Sequence, residues 1–561
     1  MTKVRLGFRR APVARVALCA LLACLALPSL QCSLVVDTNA DQCTSDADCV
    51  AKGAAFTQTM CGPQHTCVAA VCTTNKECQD AHPTPGAATD PWICRHADHK
   101  CGQLLSVDCK AVLADPSDVT SDETVWLGTL LPIIGPDSSI GIPNQNGVEL
   151  ARRDFATAVN GLPPAIANQP RRPIAFVACN DADDPVRAAT HLADDVKVPA
   201  IVGPAFSGVA IKVATEVTIP KKVLIISASA TSPFITKLAD DNLVWRTAPP
   251  DTVQAAAITQ LMTSKLEPDL RASPGGVLGA TDTLRLAIVH KGDAYGTGLA
   301  DALFETINYN KKSAAGNGAA FKSIDYGDPT TPDAEARYKA AVDALLAYQP
   351  HVVIVIGTSE GVTKVFAPLE TNWPGTAAFR PRYILTDGAE IPEVWPIVGT
   401  NADLRHRILG TVPGTTADLY DVFVNHYKGK ITDGSTPDQY TAAAYDAAYV
   451  LAYGVVAIGA TPLSGPNLVG GLQKLVPPGK RIDVGAEAMN DAFAELLAGR
   501  NIDFNGASGP LDFDITTGEA ESDIQIWCVD VDGTGKANAF KNSKEFYNAT
   551  TRKLEGTIDC P

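Results

Sequence analysis

From about residue 124 onward, short apolar runs alternate with amphipathic stretches, and this pattern restricts the chain to a parallel α/β architecture. Segments 125–131, 174–178, 200–202 and 223–226 read as strands, with helices over 146–159, 186–195 and 208–217 between them. After residue 246 the alternation restarts. Strands are expected over 284–290, 321–326, 352–356 and 383–385, and helices over 297–308, 333–347 and 361–369. Two βαβα blocks predict two lobes, each a parallel sheet covered by helices on both faces. With 561 residues, the chain is too long for one core, and three or so units are expected.

The N-terminus predicts export. Lys3, Arg5, Arg9, Arg10 and Arg15 precede an apolar run over 16–30, the pattern of a signal peptide over 1–31. The run is short for a membrane span, which takes about 20 residues. Leu21-Leu22-Ala23-Cys24 resembles the lipobox of bacterial lipoproteins, and Ser29-Leu30-Gln31-Cys32 is a second candidate. Cys32 leaves the apolar core at full length and is favoured; Cys24 is the alternative. The reading is a periplasmic lipoprotein of a bacterium, anchored only by its lipid. Cleavage removes five positive charges and takes the formal charge from −16 to −21. Such a chain lacks the basic footprint of a nucleic-acid binder.

Twelve cysteines follow Cys32, an even number that reads as disulfides in an exported protein. Eight lie in 43–101 as two copies of one pattern: Cys43, Cys49, Cys61 and Cys67, then Cys72, Cys78, Cys94 and Cys101. This Cys-rich module, between a short linker over 32–42 and another over 102–123, has few apolar residues and relies on its bridges. The cluster of Cys94, His96, His99 and Cys101 admits zinc as an alternative, but disulfides are preferred and no metal is expected. Connectivity is not legible from sequence. Cys109, Cys179, Cys528 and Cys560 remain for the lobes.

In open α/β sheets, ligands bind at the carboxyl ends of strands. Two such turns are rich in small hydroxyls: Gly203-Pro204-Ala205-Phe206-Ser207-Gly208, and Ser227-Ala228-Ser229-Ala230-Thr231-Ser232-Pro233. Helix starts of this kind attract anions. Their order along the chain, with Gly128–Pro136, Asn180–Pro185, Trp245–Asp251, Ala294–Ala300 and Ala444–Ala447, resembles the type I periplasmic binding proteins in the branch of the leucine/isoleucine/valine-binding protein. The resemblance covers about 125–520. It implies a two-lobed α/β fold with three crossovers, near 246–251, 410–415 and 509–514. Lobe 1 would take about 124–248 and 412–510, and lobe 2 about 249–411 and 511–561. It further implies a carboxylate held at Ser207, Ser229, Ala230 and Thr231, an ammonium at Asp387, and Tyr295 closing over the ligand. Ile140 and Ser359 stand where the branched-chain binder presents aromatic rings, which leaves the ligand's side chain open. A bridge between Cys528 and Cys560 would pin the tail to lobe 2.

The function expected is capture of an amino acid or similar small zwitterion for an ABC-type importer, with no cofactor and no catalysis. A lipoprotein receptor signalling through a partner protein is the alternative. A remote one is a serine hydrolase: Gly357-Thr358-Ser359-Glu360-Gly361 matches a nucleophile elbow between a strand and a helix. Only His406 and His426 follow it, and no oxyanion segment precedes it.

Overall fold

The computed structural model describes residues 42–44, 48–49, 51–56, 59–62, 64–69, 72–82, 91–95, 97–272, 277–375, 377–414 and 418–560. The signal segment, Cys24 and Cys32 lie outside them. Two compact units result, one ending at Ala70 and one beginning at Val71. Among the described residues, no helix is long and apolar enough to cross a membrane.

In the first unit, Cys43 pairs with Cys61 and Cys49 with Cys67 around a hairpin of Thr59–Cys61 and Cys67–Ala69. The second repeat uses the same connectivity, Cys72 to Cys94 and Cys78 to Cys101. Each sulfur is thus bonded to another, which removes these cysteines from any zinc site. The expected single module over 43–101 is corrected in one respect, because the second repeat belongs with the lobes. Its Ile93 and the following Leu104 are buried in the same core as Leu192, and the Arg95 guanidinium donates to the Asp194 carbonyl at 2.8 Å.

The expected linker over 102–123 is also corrected. Its middle forms β1 (Cys109–Leu113), an antiparallel edge strand in the sheet of lobe 1. That sheet continues with β2 (Val125–Leu131), β3 (Ile174–Asn180), β4 (Ala200–Val202), β5 (Leu224–Ser227) and β6 (Val244–Arg246), in the order β6-β5-β4-β2-β3-β1. Cys109 lies opposite Cys179 of β3 and is bonded to it. The lobe 2 sheet contains β7 (Leu286–His290), β8 (Phe321–Asp325), β9 (Val352–Ile356), β10 (Arg382–Leu385) and β11 (Ile408–Pro413), all parallel. Antiparallel β12 (Ile524–Val531), β13 (Ala537–Asn548) and β14 (Lys553–Glu555) extend it. The order is β8-β7-β9-β10-β11-β12-β13-β14. Cys560 returns to bond Cys528 of β12.

Helix α1 (Ser138–Val159) leaves β2 and packs along α2 (Gln439–Ala457) in lobe 1. Gly147 permits that approach, since a Cβ there would stand 2.6 Å from the Thr441 carbonyl oxygen. The helix begins eight residues before the expected 146–159 and carries Pro143 inside it. The first two crossovers fall after β6 and after β11. The third is corrected: 509–514 stays on lobe 1, because Leu511 and Phe513 are buried in its core, Phe513 against Trp245. The chain crosses after Glu519, where the buried Arg246 guanidinium holds the Glu519 carboxylate.

Candidate functional site

Strand order reverses at β2 in lobe 1 and at β7 in lobe 2, and the carboxyl ends of the strands around these points face one cavity. From lobe 1 it is lined by Ile140 of α1, by Ala205, Phe206 and Ser207 after β4, and by Ser229 after β5. Lobe 2 contributes Tyr295, Thr358, Asp387, Gly388, Glu390 and Ile391. Asp438 and Tyr440, at the start of α2, close the ring.

Asp387 stands two residues beyond the end of β10 and is 5% exposed. Tyr295 donates to its Oδ1 at 2.7 Å, and Tyr440 donates to its Oδ2 at 2.6 Å. One hydroxyl comes from each lobe. Burial raises the Asp387 carboxyl above its ordinary range, against the Tyr440, Tyr295 and Gln254 hydrogen bonds that lower it. Behind it Asp251 is raised further, by burial and then by the charge of Asp387. Burial, then the charges of Asp438 and Asp387, hold Glu390 well above the usual range. A positive group entering here meets carboxylates that gain by ionising.

Of the residues expected at the site, Ser207, Ser229, Tyr295, Asp387 and Ile140 line the cavity. Ser229 donates to the Ala205 carbonyl at 2.9 Å, and the Ser207 hydroxyl accepts from the Ser232 N–H at 3.1 Å. Ala230 and Thr231 are fully buried beside the lining rather than in it; the Ala230 N–H donates to the Ser227 hydroxyl and the Thr231 carbonyl accepts from the Asp251 N–H at 2.8 Å. Ser359 is also outside the lining. Its hydroxyl donates to Asp137 Oδ1 of lobe 1 at 2.6 Å. His406 lies against Arg405 and His426 hydrogen-bonds Asp154, so neither histidine is seated as a base for Ser359. Glu390, Asp438 and Tyr440 are lining residues that sequence reasoning missed. Asp438 carried a signal: it stands three residues before Thr441 and caps α2.

The lobes are held together across this site. Besides Tyr440–Asp387 and Ser359–Asp137, Ser139 donates to Glu393 at 3.1 Å and Ser232 to the Ala294 carbonyl at 2.7 Å. Gly298 admits Ser232, since a Cβ there would lie 2.7 Å from its hydroxyl. The space enclosed is about 30 Å³, room for a water or two. A solute of amino-acid size exceeds that space unless the lobes part.

A family model described as periplasmic binding protein matches residues 124–536. The chemotactic signal transduction system substrate-binding protein BasB of Halobacterium salinarum is 26% identical over 405 residues, 70% of this chain and 83% of its own length. The Leu/Ile/Val-binding protein BraC3 of Rhizobium johnstonii is 30% identical over 187 residues, 33% of this chain and 44% of its own. The leucine-binding protein LivK of Thermotoga maritima has a similar fold, with a TM-score of 0.55 at 17% identity over 76% of this chain and 99% of its own. The chain belongs to the type I periplasmic binding proteins, in the branch of the leucine/isoleucine/valine-binding proteins.

Proposed function

We propose that this protein is a lipid-anchored, extracytoplasmic solute-binding protein that captures an amino acid or similar small zwitterion between its lobes and catalyses nothing. One observation carries the reading: Asp387, bridged by Tyr295 and Tyr440, lines the same interlobe cavity as Ser207 and Ser229. An ammonium at Asp387 replaces the tyrosine hydroxyls or joins them, and a carboxylate at the serine end gains charge-assisted hydrogen bonds of about 1.5–3 kcal/mol each. Delivery to an ABC-type permease complex is the first reading of its output. Signalling through a receptor partner is the second, favoured by the match to a relative named as a chemotactic substrate-binding protein over 70% of this chain. Calorimetry of the mature protein against amino acids, amides and aromatic acids tests the ligand class. A protein that binds only an aromatic acid, and binds it equally well as Asp387→Ala, defeats the zwitterion assignment. Crosslinking in the native membrane separates the two outputs by the partner recovered.

A further inference from the structure

The lining of the cleft carries more carboxyl groups than one ammonium satisfies. Asp387, Glu390 and Asp438 border the cavity, and among the described residues no lysine, arginine or histidine does. The Lys291 ammonium beside it is engaged elsewhere, 3.5 Å from Asp293 and 4.0 Å from Glu360. In the turn Asp387–Ala389 the Glu390 N–H donates to the Asp387 carbonyl at 3.1 Å, so the two acids are presented to the same space. They differ in what they touch. Asp387 has both oxygens hydrogen-bonded, whereas Glu390 Oε2 is buried with no hydrogen-bond partner. Asp438 uses Oδ1 to cap α2, through the Thr441 N–H and hydroxyl, both at 2.7 Å. Buried carboxylates are retained where a cation pairs with them. The remaining walls, Ile140, Phe206 and Ile391, are apolar and suit a chain of methylenes.

We infer that the ligand carries two cationic nitrogen centres joined by a short aliphatic chain, one seated on Asp387 and the other facing Glu390 and Asp438. This rests on the reading of the cleft as an ammonium-binding solute site and names its substrate class. The Ser207 and Ser229 hydroxyls add a place for a carboxylate, which makes a basic amino acid the ligand in preference to a diamine. Burial and mutual repulsion, which raise the Glu390 carboxyl, are what the second cation relieves.

Calorimetry on the full mature protein with L-lysine, L-ornithine, putrescine, L-leucine, 4-hydroxybenzoate and calcium chloride tests it. L-lysine or L-ornithine should bind at least about ten-fold tighter than L-leucine, with putrescine between them. In Glu390→Gln the lysine-to-leucine ratio of association constants should fall about ten-fold or more. Leucine binding as tightly as lysine in the parent protein overturns the dication assignment and leaves the zwitterion reading standing. Binding of 4-hydroxybenzoate alone overturns both. Calcium binding with no response to the organic cations overturns the ligand class, as does an unchanged ratio in Glu390→Gln.

Discussion

The Tyr440 hydroxyl reaches from the first turn of α2, a lobe 1 helix, to Asp387 Oδ2 in lobe 2 at 2.6 Å, while its ring packs in the lobe 2 core. One side chain thus ties the ligand-facing acid to closure of the lobes. Its hydrogen bond is made to a group that prefers to ionise only when a donor or cation is present. Tyr440→Phe keeps the packing and removes the donor. A bond to a charged group contributes about 1.5–3 kcal/mol, so ammonium ligands should bind about ten- to a hundred-fold more weakly. Ligand-free protein should show a larger radius of gyration by small-angle scattering. Unchanged scattering and affinity together would remove Tyr440 from closure of the lobes.

Ligand binding should release protons. Burial raises Asp387, Glu390 and Asp438 above ordinary values of 3.8 for aspartate and 4.5 for glutamate. A bound cation favours their ionised forms and draws these pKa values back down. Affinity for an ammonium-bearing ligand should therefore rise with pH above the ordinary carboxylate range, until the acids of the free protein are ionised. Calorimetry of one ligand in buffers of different ionisation enthalpy reads this directly. Proton uptake on binding, or affinity that increases as pH falls, would contradict the acidic site.

The two sheets were legible because buried strands are continuous apolar runs: Val125–Leu131, Ala200–Val202 and Val352–Ile356 have the boundaries expected from sequence. The start of α1 was not, because a proline disfavours a helix interior and it is tertiary packing against α2 that carries the helix through Pro143. At the site, Ser207, Ser229, Tyr295 and Asp387 sit at strand ends, where topology directs ligands. Tyr440 sits in an apolar helix that resembles core, and its partner lies 53 residues away in sequence. Glu390 follows a turn whose direction no local pattern announces. The burial of Thr231 was not legible for a related reason: an exposed cap and a buried one have the same sequence.

Asp446 should make stability pH-dependent. It is fully buried, accepts from the N–H groups of Ala507 and Ser508 and from the Ser508 hydroxyl, and is raised by burial to about 6. A raised acid contributes stability that is fully present below its unfolded value near 3.8 and is lost as pH rises through about 6. A shift of this size corresponds to about 3 kcal/mol. Melting temperatures of the parent and Asp446→Asn, compared at pH 4.5 and pH 7.5, should move in favour of the variant on raising pH. A gap independent of pH would mean that the carboxylate is already ionised at the lower value.

The Cys109–Cys179 bridge closes a loop over 70 residues and fastens the edge strand β1 to β3. Strand β1 joins the second cysteine repeat to lobe 1, so the bridge resists peeling of that edge. Replacing both cysteines by alanine should cost about 2–4 kcal/mol, chiefly by freeing the unfolded chain. A fall in melting temperature, with amide exchange accelerated in 109–113 before the rest of the sheet, would mark local release. Uniform exchange across the sheet would show that β1 is held by its ladder alone.

The mature N-terminus decides how this binder is held. The basic start, the apolar run over 16–30 and the two candidate cysteines, Cys24 and Cys32, support cleavage with lipidation. Intact mass and N-terminal peptide spectra of protein from native membranes should give a diacyl- or triacyl-modified Cys32, or else Cys24. Cys32→Ser should then release the protein into the soluble fraction if Cys32 is the anchor, whereas Cys24→Ser should do so if Cys24 is. Recovery of an intact Met1, or of an unmodified start downstream of Cys32, would sink the anchoring claim and leave the solute cleft unaffected.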